Sequence, residues 1–318
     1  MSENLTQAKR RKSYWWLAYI VLAAIVMFVI GHIYYKLTGD FRLTHITYEW
    51  PYHTEWETLP LPSEDQAALS KILDQKFSFI DKGNQSYVFA SEDQKYVLKF
   101  FKFRHIKPNW LLDLLPPFSP FIRYKENRDR SKKKRLEKVF IGYKNAFEID
   151  RDNSGLVFIH LNQTGNLHKR VVIKDGLGLK HTVDLDLHAF IIQKKAKTTQ
   201  SVLIKLLAQG EIGTAKQRLR QLIDMCVIEY ERGLLDCDHN IMVNTGFAEN
   251  EPIRIDVGKL ICDEQIKNRE TYLKDLEKIV FKRIDPWLNK YYSQYRSELF
   301  QDLQSKLNEI QLSMNGAP

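Results

Sequence analysis

Cysteine is scarce in this 318-residue chain, and acids are outnumbered. The three cysteines, Cys226, Cys237 and Cys262, are odd in number and form no CxxC pair. That argues against a disulfide framework and offers no zinc spacing. Cys226 lies in an apolar helical run and reads as a small core residue. His160, His168, His181 and His188 stand at unrelated spacings, so they read as structural and not as metal ligands. Asp and Glu total 39 against 48 Lys and Arg, a net charge of +9. No recognised nucleic-acid module accompanies that excess, so nucleic acid is not the expected partner. The rest of the composition, 44% hydrophobic and 12% aromatic, is that of a folded protein.

One stretch lacks charge altogether. Tyr14 to Tyr35 reads YWWLAYIVLAAIVMFVIGHIYY. Its length suits a bilayer crossing, and Trp15, Trp16, Tyr34 and Tyr35 form aromatic belts at both ends. A cleaved signal peptide is the rival, but the apolar run is long for one and no small-x-small site follows. The expected order is a basic tail over 1–13, a transmembrane helix over 14–35 in contact with membrane lipid, and a stalk over 36–63. Lys9, Arg10, Arg11 and Lys12 precede the helix, while only Lys36 and Arg42 follow closely. The positive-inside rule therefore favours a cytoplasmic N-terminus, with the large domain on the far side.

The excess of positive charge is local. Residues 123–138 hold nine Lys and Arg against three acids. A solvated helix face and a contact for an anionic lipid or phosphate-bearing partner both account for that run. It sits at the end of a Pro-rich insertion over 104–131, in which Trp110, Leu111, Leu112, Leu114 and Leu115 either pack on the domain or touch the membrane. A helix is expected over Lys132–Glu148, with Leu136, Phe140, Tyr143 and Phe147 on one face.

Before the insertion, Phe77–Asp81, Tyr87–Ala90 and Tyr96–Phe103 read as strands. Lys82-Gly83-Asn84-Gln85-Ser86 is the first turn, and Lys99 lies inside the third strand. Leu156–Leu161, Arg170–Lys174, Thr182–Leu187 and the apolar Phe190–Gln193 are further strands. Lys194-Lys195-Ala196 then leads into helices over Thr199–Leu207 and Thr214–Gly233. Next come Asp236, Asp238, Asn240 and Asn244, followed by the alternating Ile253-Arg254-Ile255 and by Asp256-Val257-Gly258. Two amphipathic helices, Glu264–Ile284 and Trp287–Leu312, are expected to break at Pro286.

Strand, small-residue turn, strand, then a strand ending V-L-K-F resembles the N-terminal lobe of the protein-kinase-like superfamily. The resemblance covers Phe77 to Cys262 and points to a small, atypical member. It implies an α+β fold, with a sheet-rich lobe over 64–196, a helical lobe over 197–313 and a tail over 314–318. It implies ATP and Mg as cofactors. Gly83, Gln85 and Ser86 would cover the phosphates, and Lys99 would contact them, paired with a helix carboxylate for which Glu137 and Glu148 are candidates. Backbone of 194–196 would meet adenine. Asp256 would bind metal. An acceptor-positioning Asp and a second metal residue, an Asn, come in two registers: Asp236 with Asn240, followed by a strand Ile241-Met242-Val243, or Asp238 with Asn244, followed by a tight hairpin through Ala248–Glu251. The chain departs from the family pattern in having one glycine in the turn, no His-Arg-Asp triplet and no A-P-E. An Asx-rich turn with a hairpin accounts for the same residues without chemistry.

ITYEWPYHTEW, YVLKFFKF, GLVFIHLNQT and IRIDVG also resemble membrane-anchored proteins of chlamydia-like bacteria, which assigns no activity. The location this implies is a bacterial inner membrane. Two functions follow. One is a phosphotransferase acting on a small-molecule, lipid or protein hydroxyl. The other is a catalytically inactive kinase-like scaffold, favoured by the missing motifs and by the orientation rule.

Overall fold

In a computed structural model, residues 2–104 and 119–315 are described. The apolar insert residues Trp110 to Leu115 fall outside them. Helix α1 spans Ser2–Thr38. Its segment Trp15–Thr38 is long and apolar enough to cross a membrane, and none of its apolar window is buried. The chain then turns at Gly39 and Asp40, both at positive φ. The following segment is no free linker: Phe41, Ile46 and Trp56 are almost fully buried. Helix α2, Ser63–Leu73, adds Leu69, Ile72 and Leu73 to the same core.

Seven strands form one sheet: β1 Phe77–Lys82, β2 Ser86–Ser91, β3 Tyr96–Phe101, β4 Leu156–His160, β5 Arg170–Lys174, β6 Lys180–Asp184 and β7 Phe190–Lys194. Their spatial order is β4-β7-β3-β2-β1-β5-β6. Only β1 and β5 pair in parallel. Between β3 and β4 runs helix α3, Ser119–Ile149. It starts earlier than the expected Lys132, so the second half of the Pro-rich insertion is helical. Pro120 is compatible with that start, because a first-turn proline lacks only an N–H that has no partner there. The basic run 123–138 thus lies on α3 and is largely exposed until Leu136 turns into the core.

The sheet is covered on both faces. Phe77, Phe89, Leu98, Phe100 and Phe190 pack under the stalk and α2. Phe101 and Ile191 pack with Phe140 and Tyr143 of α3 on the other side. Chain then crosses through β8, Lys197–Thr198, into a helical lobe of α4 Thr199–Ala208, α5 Ile212–Glu231, α6 Arg269–Ile279, α7 Asp285–Tyr291 and α8 Ser293–Asn315. The apolar stripe of α5, with Leu219, Leu222, Ile223 and Cys226, is the centre of that lobe's core. The expected break at Pro286 is absent. Val280–Ile284 form a π-helical turn, Pro286 sits in the first turn of α7, and the chain bends at Tyr292 instead. The molecule is therefore mixed α+β, a curled sheet lobe followed by a helical one.

Candidate functional site

Between α5 and α6 the chain makes two small antiparallel pairs. β9, Leu234–Asp236, pairs with β12, Leu260–Cys262. The hairpin of β10, Thr245–Ala248, and β11, Glu251–Arg254, turns at Glu249-Asn250. Two loops are thereby set side by side. One carries Cys237–Asn244 and the other Ile255–Lys259. The carbonyl of Asn244 accepts from the amides of both Ile255 (2.7 Å) and Asp256 (3.1 Å), which joins them directly.

Lys99 arrives from the sheet lobe. Alternate residues of a strand face opposite sides. Leu98 and Phe100 enter the core under the stalk, so Lys99 points the other way, toward these loops. It is 6% exposed, and its ammonium donates 2.7 Å to the carbonyl of Ile255. Burial pulls its pKa down to about 8, against the opposing pull of the nearby Asp256 charge. Asp256 uses one carboxylate oxygen to accept from the Gly258 amide at 3.0 Å.

The other predicted residues separate into two groups. Asp238 accepts from the Asn244 side-chain amide at 3.0 Å and pairs with Lys259 at 3.0 Å. Desolvation would raise the Asp238 pKa, but hydrogen bonds from Lys259 and Asn244 hold it below the usual carboxylate range. Because the Asn244 nitrogen is occupied by Asp238, its side-chain oxygen is the atom left for a cation. Asp236 is engaged elsewhere. Its carboxylate takes the Arg254 guanidinium at 2.6 Å, and Arg254 also grips Glu229 through Nε at 2.7 Å. All three are buried. Asn240 stands before the turn Ile241–Asn244 without a side-chain capping bond, and that turn is helical and not the strand expected for the first register. The strand follows Asn244 instead. The structure thus brings together Lys99, Asp238, Asn244 and Asp256, and holds Asp236 in an ion cluster joined to them through the Asp238 amide, which donates 2.9 Å to its second carboxylate oxygen.

Neither Glu137 nor Glu148 forms an ion pair with Lys99. Glu137 is half-buried on α3, and Glu148 pairs with Lys144 on the same helix. The residue that α3 places beside Asp256 is Tyr143, whose buried hydroxyl is pushed well above its ordinary pKa by desolvation and then by the Asp256 charge. The helix comes this close because of Gly142. A Cβ there would stand 2.5 Å from the Val257 carbonyl. Tyr143 was visible in the sequence only as one of four apolar-face residues, and nothing in the spacing distinguished it.

The turn after β1 folds down over the same place. Gly83 N–H donates to the Ser86 carbonyl at 3.0 Å, and the Gln85 carbonyl accepts from Lys102 at 2.8 Å. The Gln85 side chain is directed inward. Its Oε1 is buried without a hydrogen-bond partner and lies 2.7 Å from where a Cβ on Gly258 would be. Ser86 begins β2 and Gly83 stays exposed. Two of the three crossover amides are already engaged, Lys194 by Gly155 and Lys195 by Lys95, each at 2.8 Å. Cavities of about 600 and 660 Å³ lie elsewhere, one beside Trp56 and Asn162, the other beside Lys95 and Ile253. The junction of Lys99 with Asp256 lines neither of them.

Among the described residues, no group of three or more His, Cys, Asp and Glu is arranged as a metal cage. Mg²⁺ does not require one. It commonly takes one or two protein oxygens and fills its shell with phosphates and water. The adjacent Asp256 carboxylate and Asn244 side-chain oxygen fit that chemistry.

No family model and no curated protein matches the chain. Similar solved structures exist. WbdD, a bifunctional kinase-methyltransferase, shares 15% identity at a TM-score of 0.36, over 73% of this chain and 45% of that one. Rv3197 of Mycobacterium tuberculosis, solved with erythromycin, shares 13% at 0.34, over 74% and 60%. APH(2")-IIa, solved with streptomycin and ATP, shares 13% at 0.26, over 79% and 97%. The chain spans less than half the length of WbdD.

Proposed function

We propose that this chain is a membrane-anchored kinase-like phosphotransferase that holds Mg-ATP between its lobes. The observation that carries the reading is the convergence of a buried strand lysine, Lys99, on the D-x-G carboxylate Asp256, beside the hydrogen-bonded pair Asp238–Asn244. Those are the residue types that phosphoryl transfer needs, and it needs little else beyond placement and charge. Lys99 would neutralise nucleotide phosphate oxygens. Asp256 and Asn244 would hold Mg²⁺, which supplies charge neutralisation to the transferring group. Asp238, kept ionised by Lys259, would accept a hydrogen bond from the acceptor hydroxyl and orient it. The acceptor is a small-molecule, lipid or protein hydroxyl. The site belongs to a single-pass protein of a bacterial inner membrane, and the basic face of α3 is a surface for an anionic partner.

A second reading is a kinase-like scaffold without turnover. Two contacts favour it: Lys99 is bound to a backbone carbonyl, and Gln85 fills the space above Gly258. A thermal-shift titration of the full chain in detergent separates the two. Saturable stabilisation by Mg-ATP is expected, about 2.7 kcal/mol at a hundredfold excess over Kd. Asp256→Ala should then abolish phosphate transfer while the chain stays folded. No shift at millimolar Mg-ATP overturns the phosphotransferase reading and leaves the scaffold.

A further inference from the structure

The sheet lobe is fastened to the end of α1. The turn joining β5 to β6 lies on the helix: a Cβ on Gly176 would stand 2.2 Å from the Leu37 carbonyl. Thr38 and Asp40 are buried, and the Phe79 ring closes on Gly39. The Tyr87 hydroxyl donates 2.8 Å to the Asp40 carbonyl, and the Lys82 ammonium sits 4.4 Å over the Tyr35 ring. With so many contacts on residues 35–40, the lobe cannot stand away from the place where the helix leaves the bilayer.

Length fixes that place. Trp15–Thr38 is 24 residues. At 1.5 Å per residue this is about 36 Å, longer than a hydrocarbon core of about 30 Å. The last turn of α1, with Tyr34, Tyr35 and Lys36, therefore lies at headgroup depth. Gly176 touches that turn, so the β5–β6 connection is at the same depth.

The rim there is apolar where a solvated turn would be polar. Leu177 is 42% exposed, Leu179 56% and Ile80, near the end of β1, 46%. β1 runs parallel to β5, so these residues share one edge of the lobe. Around them stand Lys36, Lys82, Lys174 and Lys180, the last two paired across β5 and β6. The nearby acids are Asp81, exposed, and Asp175, which is buried and committed to His181 and to the turn's own amides. Exposed leucines ringed by lysines are the pattern of a segment that lies in a membrane interface.

We infer that this rim, Leu177 and Leu179 with Ile80 and the four lysines, is a second bilayer contact that takes an anionic lipid surface. The inference rests on the reading of α1 as a membrane span. It gives that anchor a consequence: Lys82 begins the turn over Gly83–Ser86, so the rim fixes the edge of the candidate site at the bilayer surface.

The test uses the full chain in vesicles of phosphatidylglycerol and phosphatidylcholine. Cys237 and Cys262 are exposed and are replaced by Ser; Cys226 is buried and stays. An environment-sensitive fluorophore is placed at L179C, at M27C within α1, or at Q301C on α8, and quenched by spin-labelled lipid. Quenching at position 179 several-fold above that at 301, reduced at least twofold by K82E with K180E, is expected. Strong quenching at 27 with an aqueous signal at 179 overturns the second contact and keeps the anchor. Aqueous signals at both overturn the anchor as well. Quenching at 179 that ignores the charge reversals and persists in pure phosphatidylcholine overturns the anionic preference.

Discussion

The Lys99 ammonium donates its 2.7 Å hydrogen bond to Ile255, one residue ahead of Asp256, from a position almost without solvent. Its pKa falls from 10.5 to about 8 because burial opposes the charge. The folded-state value lies below the unfolded one, so the penalty is full below pH 8. It fades as pH rises through 8 toward 10.5, and stability rises across that window. Each pKa unit is worth about 1.4 kcal/mol, less about 1 kcal/mol for the hydrogen bond. Lys99→Met should therefore be more stable than the parent at pH 7, by about 2 kcal/mol. The difference should shrink by pH 10. Urea denaturation at the two pH values checks it. The same variant should lose Mg-ATP stabilisation.

Gln85 makes the opposite kind of contact. Its buried Oε1 lacks a partner and fills the space over Gly258. An unsatisfied buried acceptor costs about 1–3 kcal/mol. Gln85→Ala should stabilise the nucleotide-free chain by about 1 kcal/mol and, by clearing the space over the D-x-G, tighten Mg-ATP binding by roughly three- to tenfold. Urea denaturation reads the first and calorimetric titration the second. Weaker binding by the variant would mean that Gln85 is a nucleotide contact and not an obstruction.

Much of this arrangement is legible in the residues. Alternation places Lys99 on β3, and the Ala248–Glu251 turn chemistry gives the hairpin before Asp256. What was not legible depends on tertiary structure. Ile241-Met242-Val243 is too short an apolar run to separate strand from helical turn. Asp236 and Asp238 are chemically alike, and only the burial of Arg254 commits the first to a structural cluster. The rotation of α3, which brings Tyr143 and not Glu137 to Asp256, is set by the close approach at Gly142. Arg123 to Arg135 hid the start of α3, because a polar stretch on an exposed helix carries no apolar period.

The two aspartates can be told apart by what they break. Asp236→Ala leaves the Arg254–Glu229 pair charge-balanced but takes the acceptor from a buried Arg254 Nη1 and from the Asp238 amide. Leaving such donors unsatisfied costs about 1–3 kcal/mol, and stability should fall on that scale. Asp238→Asn should change stability by less than about 1 kcal/mol, since its pair with Lys259 is partly exposed. It should nevertheless reduce phosphate transfer at least a hundredfold. Denaturation curves beside turnover assays distinguish them, and a Asp238→Asn variant with full turnover would return the acceptor role to Asp236.

Gly142 permits a comparison within one residue type. It lies in the middle of α3, where alanine is ordinarily favoured by about 1 kcal/mol. Here a Cβ would meet the Val257 carbonyl at 2.5 Å, the Leu260 carbonyl at 3.2 Å and Gly258 C at 3.3 Å. All three are backbone, which cannot rotate away. Gly213, near the start of α5, has nothing within 4 Å of the same position. Gly213→Ala should therefore hold or raise stability by up to about 1 kcal/mol. Gly142→Ala should lower it by about 1–3 kcal/mol. Because the displaced backbone is that of Val257 and Gly258, Gly142→Ala should also weaken Mg-ATP binding, whereas Gly213→Ala should leave it unchanged. Equal effects of the two substitutions would mean that α3 does not press on the D-x-G segment.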